Sequence, residues 1–229
     1  MKFSLVVMLT LIVLTGSLKA QNIPINSIED FRFKRLTEGL YTPQNLKLSD
    51  IKGSPYLEAE FISGKVITTD GSINENIPIR YNAFSDDLEF RKGDDIYIID
   101  PKSTVKKAEI GKDVFTYMTF LYGGKIHNGF FKILTEGKTI LLARFVIVFL
   151  EKEEIKPYAE PKPARFDEVR KEYYISFDGN PAKPFSTKKG LFEMFGEKKG
   201  EMESYFSKNK LSFKGDEQLI KIIQHYNTL

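Results

Sequence analysis

A mainly β protein with a C-terminal α part is what the sequence predicts: an antiparallel meander, as a barrel-like sheet or a sandwich, followed by about three short helices. Three observations carry this. Between Tyr56 and Leu150, apolar and polar residues alternate in short runs. Turn signals interrupt those runs about every 8–12 residues, the rhythm of sandwiches and barrels. After Asn180 the apolar period changes from 2 to 3.6.

The chain opens with a different pattern. Lys2 precedes an apolar run from Leu5 to Leu14, Gly16 and Ser17 follow, and Ala20 is a small residue suited to cleavage. Residues 1–20 therefore read as a signal peptide. The apolar run is about half the roughly 20 residues a membrane-spanning helix needs, so the mature form, residues 21–229, is expected not to span a membrane. Residues 21–54 carry Pro24, Pro43 and Gly53 among weakly patterned residues and read as an N-terminal arm.

Residues 55–150 read as the antiparallel β-domain. A first strand is expected over residues 57–62, then one over 64–69. Asp70-Gly71 between β-rich runs marks a hairpin, because both turn positions must tolerate positive φ. The strand Ile77–Tyr81 contains Pro78, which fits an edge or a strand start. Leu88–Arg91, Ile96–Ile99, Val105–Ile110, Val114–Leu121, Gly129–Thr135, Thr139–Ala143 and Phe145–Leu150 continue the rhythm, each bounded by a breaker. Closure into a barrel would remove the edges of so many strands.

Residues 151–166 change character, with a charged run and Pro157, Pro161 and Pro163, and read as a Pro-rich connector. Residues 167–229 form a strand plus a helical part. The strand is Glu172–Phe177. Ser186 or Thr187 caps a helix with Leu191, Phe192 and Phe195; Met202, Tyr205 and Phe206 mark a second; Asp216 caps a third with Leu219, Ile222 and Ile223 on one face.

Composition excludes several chemistries. There is no Cys, hence no disulfide framework and no thiol catalysis. Removing Lys2 and Lys19 with the signal peptide lowers the formal net charge from +3 to +1. Lys and Glu are interspersed, so a nucleic-acid partner is not expected. The two histidines, His127 and His225, have no metal-ligand spacing. No nucleophile elbow, phosphate loop or calcium loop occurs, and no cofactor is expected. Asp86, Asp87, Glu89, Asp94 and Asp95 read as the carboxylates of a solvated hairpin.

Two groups of residues are candidates for ligand binding. Arg80, Tyr81 and Asn82 end a strand, where they can orient a ligand or satisfy a turn. In the aromatic set Phe115, Tyr117, Phe120, Tyr122, Phe130 and Phe131, the tyrosines Tyr117 and Tyr122 could line a barrel mouth. The alternative for that set is core.

The strings Ser54-Pro55-Tyr56, Phe61-x-x-Gly64-Lys65-Val66, Asp70-Gly71, Ile79-Arg80-Tyr81-Asn82 and Glu89-Phe90, with Tyr173-Tyr174-Ile175 and the terminal Tyr226-Asn227, resemble a family of uncharacterised exported proteins of Bacteroidota-type bacteria. The resemblance covers residues 54–229. It implies the periplasm or surface of a Gram-negative cell and carries no known activity. The function expected is non-enzymatic binding of an envelope protein or polymer. The alternatives are a carrier of a small apolar ligand and, third, a carboxylate-dependent hydrolase.

Overall fold

A computed structural model describes residues 33–35, 50–100, 102–152 and 162–229; the expected signal peptide and most of the N-terminal arm lie outside the described residues. The strands are β1 (Phe33–Arg35), β2 (Ile62–Thr68), β3 (Ile73–Asn82), β4 (Asp87–Lys92), β5 (Asp95–Ile99), β6 (Val105–Ile110), β7 (Asp113–Tyr122), β8 (Lys125–Thr135), β9 (Thr139–Val146), β10 (Phe149–Leu150), β11 (Arg165–Phe166), β12 (Arg170–Phe177) and β13 (Lys183–Phe185). All but β10 and β11 join one antiparallel sheet in the order β1-β5-β4-β3-β2-β6-β7-β8-β9-β12-β13. Two meanders, β2 to β5 and β6 to β13, meet where β6 pairs with the free side of β2. Gly71, at φ +88°, makes the tight turn between β2 and β3. Pro78 lies just before the first β3–β4 pair, Ile79 with Phe90, at a point where β3 has no neighbour on that side and no N–H is needed.

The sheet is mainly antiparallel meander, as expected, but it does not close into a barrel: β1 and β13 are its edges. Closure requires a regular stagger around every strand pair. Here β8 and β9 pair only through Lys132, Ile133 and Thr135, and beyond Lys132 they part. The sheet coils instead. Ala182, just before β13, reaches back to β7, accepting from the Leu121 N–H (2.8 Å) and donating to the Thr119 carbonyl (3.0 Å).

Coiling produces three buried clusters. Val66, Ile79, Tyr81, Leu88, Phe90, Phe115, Phe130 and Phe145 gather between the two meanders. Farther along the same face, Leu141 and Ile175 meet the helices. On the opposite face Phe120, Phe131, Leu142, Tyr174 and Ala182 fill the space enclosed by the curl. The aromatic set is thus divided by strand alternation: Phe115 and Phe130 on one face, Phe120 and Phe131 on the other.

Residues 57–61, expected as a strand, lie outside the strands; the Leu57 N–H instead donates to the Tyr81 carbonyl (3.1 Å). The described part of the expected connector is not free-standing either. β11 pairs with β10, and Lys52 bonds Ala164 and Phe166 through its backbone (3.1 and 2.8 Å). Phe166 thereby enters the core. Residues 153–161, with Pro157 and Pro161, lie outside the described residues.

Three helices cover the end of the sheet: α1 (Lys188–Met194), α2 (Lys199–Lys208) and α3 (Asp216–Tyr226). The Thr187 hydroxyl caps α1 by accepting from the Gly190 N–H (3.0 Å). Asp216 does not cap α3. The cap position is Gly215, and the Asp216 carboxylate accepts from Tyr173 (2.7 Å) and Lys171 (3.0 Å), tying α3 to β12. At the other end, the Asn227 amide accepts from the Thr139 N–H (2.9 Å) and donates to the Thr139 carbonyl (2.8 Å). Gly137, at φ +142°, leaves room for that amide, which a Cβ there would strike.

Asn227→Ala removes both bonds and is expected to cost about 1–3 kcal/mol, the range for orphaning partly buried backbone groups. Urea unfolding followed by circular dichroism measures it; an unchanged midpoint would show that the amide does not anchor the helices.

Candidate functional site

β3 carries Arg80, Tyr81 and Asn82 on alternating sides, so the three cannot form one binding surface. Arg80 stands opposite Glu89 of β4. Its guanidinium donates to the Glu89 carboxylate through Nε (2.9 Å) and lies 2.8 Å from it through Nη2. It also donates to the Ala59 carbonyl (2.9 Å) and stacks over Tyr56 at 3.5 Å. Asn82 donates to the other Glu89 oxygen (2.9 Å) and accepts from the Phe84 and Ser85 N–H groups, both at 3.1 Å, closing the turn. Glu89 is 1% exposed. Burial and then the Glu89 charge push the Tyr56 phenol up to about 12.

Of the carboxylates expected to be solvated, Asp94 is exposed, but two are not solvated. Asp87 and Glu89 are buried, with Lys102 and Arg80 as their cationic partners. Glu89 and Asp87 lie on the face opposite Tyr81, paired with Arg80 and Asn82, and residues 56–59 cover that face, with Tyr56 over Arg80 and the Ala59 carbonyl accepting from it. The Arg80–Glu89 pair was available to sequence reading as opposite charges across a hairpin. The burial was not.

Tyr81 points into the core between the meanders, 5.1 Å from the Phe115 ring. Its hydroxyl donates to Asp86 (2.7 Å). Asp86 sits in the β3–β4 turn at φ +56° and also accepts from the Phe130 N–H of β8 (3.1 and 3.3 Å to its two oxygens). On the other side of the same turn, the Ala83 carbonyl accepts from the Ile147 N–H just after β9 (3.4 Å). Residues 83–86 thus form a wedge in the gap where β8 and β9 part. Gly129 makes room for it, because a Cβ there would lie 2.8 Å from Asp86 Oδ2.

Arg144 of β9 borders the gap. Its guanidinium lies 4.9 Å from the Phe120 ring centre and 4.0 Å from Glu172, while its Nε is buried with no hydrogen-bond partner among the described residues. Burial, opposed by the Tyr81 and Phe130 hydrogen bonds and by Lys102 and Arg144, holds the Asp86 carboxyl above its ordinary value. Burial and then Asp86 push the Tyr81 phenol well up. Sequence reasoning missed Arg144 and Glu172, whose only signal would have been their cross-strand pairing.

The remaining candidates lie apart. Tyr117 is half-buried, its ring 5.0 Å from Phe130. Tyr122 stands at the tip of the β7–β8 hairpin and is 55% exposed; beside the tip, Ile126 is 67% exposed. His127 lies between the Phe120 and Tyr122 rings, at 5.5 and 6.3 Å. So the structure joins Tyr81 to Tyr117 around Phe130, joins Arg80 to Asn82 around Glu89, and leaves Tyr122 on a projecting tip. A shallow depression of about 140 Å³, lined by Leu57, Ile62, Arg80, Tyr81, Ile110 and Phe115 among others, opens beside β3.

The wedge has a pH signature. The folded-state pKa of Asp86 exceeds the unfolded value of about 3.9. The native state then holds the proton more readily, so its stability falls as pH rises from about 3.9 through the folded-state pKa. Asp86→Asn removes that component. The stability difference, wild type minus variant, is expected to decline with pH across this window and then level off. Urea unfolding at stepped pH measures it; a difference that grows with pH would show the carboxylate to be stabilised as an ion.

Comparison with protein-family models, curated proteins and solved structures finds no match to this chain.

Proposed function

We propose that this is an exported, non-enzymatic binding protein of a Gram-negative cell envelope, holding another protein or an envelope polymer at the β7–β8 hairpin. The observation that carries the reading is the hairpin tip. Tyr122 and Ile126 stand exposed at 55% and 67% on the two opposite faces of the tip, beyond a sheet whose enclosed side is filled, so a partner holds the tip by embracing it. Aromatic and aliphatic side chains presented on a rigid hairpin are what interface centres are built from. Export is supported by the leader-like pattern of residues 1–20 and by the resemblance over residues 54–229.

The filling of the curl weighs against a small apolar ligand there. Phe120, Phe131, Leu142 and Tyr174 occupy the enclosed side of the curl, each at most 3% exposed. The depression beside β3, about 140 Å³, falls short of the roughly 300–1,000 Å³ of small-molecule sites. Among the described residues, no helix is long and apolar enough to cross a membrane.

Native mass spectrometry of the protein purified gently from its own envelope tests the reading. A retained macromolecule is expected, with occupancy falling at least tenfold in Ile126→Asp and in Tyr122→Ala. A bound mass of a few hundred daltons unaffected by either change, or substrate turnover lost on one carboxylate substitution, would contradict it.

A further inference from the structure

Arg144 and Glu172 stand opposite each other on β9 and β12, on the face where Phe120, Phe131, Leu142 and Tyr174 fill the curl. Their side chains are only partly covered, 23% and 31% exposed. The ion pair between them is not closed. Nη1 of Arg144 stops 4.0 Å from Glu172 Oε2, and the Tyr174 hydroxyl reaches the same oxygen at 3.4 Å. A donor and an acceptor 4.0 Å apart are too far to bond directly. One oxygen set between them comes within about 2.8 Å of each.

The same face continues toward the hairpin tip. The Phe120 ring lies 4.9 Å from the Arg144 guanidinium and 5.5 Å from the His127 ring, which in turn lies 6.3 Å from Tyr122. Cross-strand pairing puts Tyr122, Phe120 and His127 on this face and Ile126 on the other. His127 and Tyr122 are exposed, while Phe120 beneath them is buried. A strip of rings and planar polar groups thus runs from the tip to β12.

The strip restricts what can lie on it. Asp86 approaches Arg144 from the side away from Glu172: Asp86 Oδ2 and Arg144 Nε lie 2.8 and 3.8 Å from where a Cβ on Gly129 would stand. An anion would meet these carboxylates and a cation the guanidinium, so a neutral ligand gains most. A peptide strand gains little by adding to β8 here, because Asp86 already fills the slot beside Gly129 and Phe130. What fits is a neutral molecule with a ring to lay against an aromatic side chain and hydroxyls that donate and accept at one oxygen.

We propose that this strip binds a neutral glycan: one sugar unit places a hydroxyl between Arg144 and Glu172, and the next unit of the chain stacks on Tyr122 beside His127. The hydroxyl accepts from the guanidinium and donates to the carboxylate, closing the open pair. The inference rests on the reading of the hairpin tip as a contact surface and names the polymer it holds, a neutral polysaccharide.

Isothermal titration tests it on protein expressed from the full 229-residue sequence and purified as the cell leaves it. The neutral probes are cellohexaose, maltohexaose and chitohexaose. At least one is expected to bind with a dissociation constant of about 1 mM or tighter. Glu172→Ala and Tyr122→Ala are each expected to weaken that binding about tenfold or more, the effect of losing one hydrogen bond to a charged group or one stacked ring. Circular dichroism is expected to stay unchanged in both. Ile126→Asp, on the opposite face, is expected to leave the sugar affinity as it is.

No binding of any of these probes up to about 10 mM would overturn the inference. So would binding indifferent to either alanine substitution, or tighter binding of an anionic oligogalacturonate. A protein retained through Ile126, with no sugar bound, would overturn it while leaving the proposed function standing. Sugar binding beside an envelope occupancy indifferent to Ile126→Asp would overturn only the proposed function.

Discussion

Much of this architecture depends on what fills the gap between β8 and β9. Two strands that part inside a sheet leave backbone donors and acceptors exposed to an apolar interior, at a cost of about 1–3 kcal/mol for each one buried and unpaired. The β3–β4 turn meets that demand on both sides, through Asp86 at Phe130 and Ala83 at Ile147. Because the turn belongs to one meander and the gap to the other, the wedge is also what joins the two. Tyr81, whose hydroxyl holds Asp86, lies against Phe115 and Phe130 and places the shared core directly beneath.

The wedge also decides where the sheet stops being a sheet. β8 is eleven residues long, but its N-terminal half has a neighbour on one side alone among the described residues. The projecting hairpin with Tyr122 and Ile126 follows from that division. A barrel would have closed over the same residues. The charged network around Glu89 plays a different part: Arg80, Asn82 and Tyr56 satisfy a buried carboxylate and pin residues 56–59, ahead of β2, to the β3–β4 hairpin. Removing one partner of so buried a pair costs about 3–5 kcal/mol, so its residues are better understood as holding the fold than as waiting for a ligand.

How much of this could be read from the chain differs by residue. Strands such as Val105–Ile110 were legible because alternation and turn glycines agree, and the α1 cap at Thr187 followed from local chemistry. Asp216 was legible as a helix start but not as the partner of Tyr173, 43 residues away, because no local pattern encodes that distance. The same limit hid the wedge. Asp86 and Phe130 are 44 residues apart in sequence, and Asp86 read as one more solvated turn carboxylate. Of the candidate site residues, Arg80 and Asn82 were legible as turn and ion-pair formers. Tyr122 was legible as an aromatic, though whether it faced core or solvent depended on how far the hairpin projects.

The central claim is that the wedge ends at Phe130 and leaves the outer groups of Asn128 and Ile126 bare. Amide hydrogen exchange in dilute protein, resolved by residue, tests this most directly. The account predicts strong protection at Phe130 and fast exchange at Asn128 and Ile126. Protection of Asn128 and Ile126 equal to that of Phe130 would contradict it, because another part of the chain would then already cover the edge.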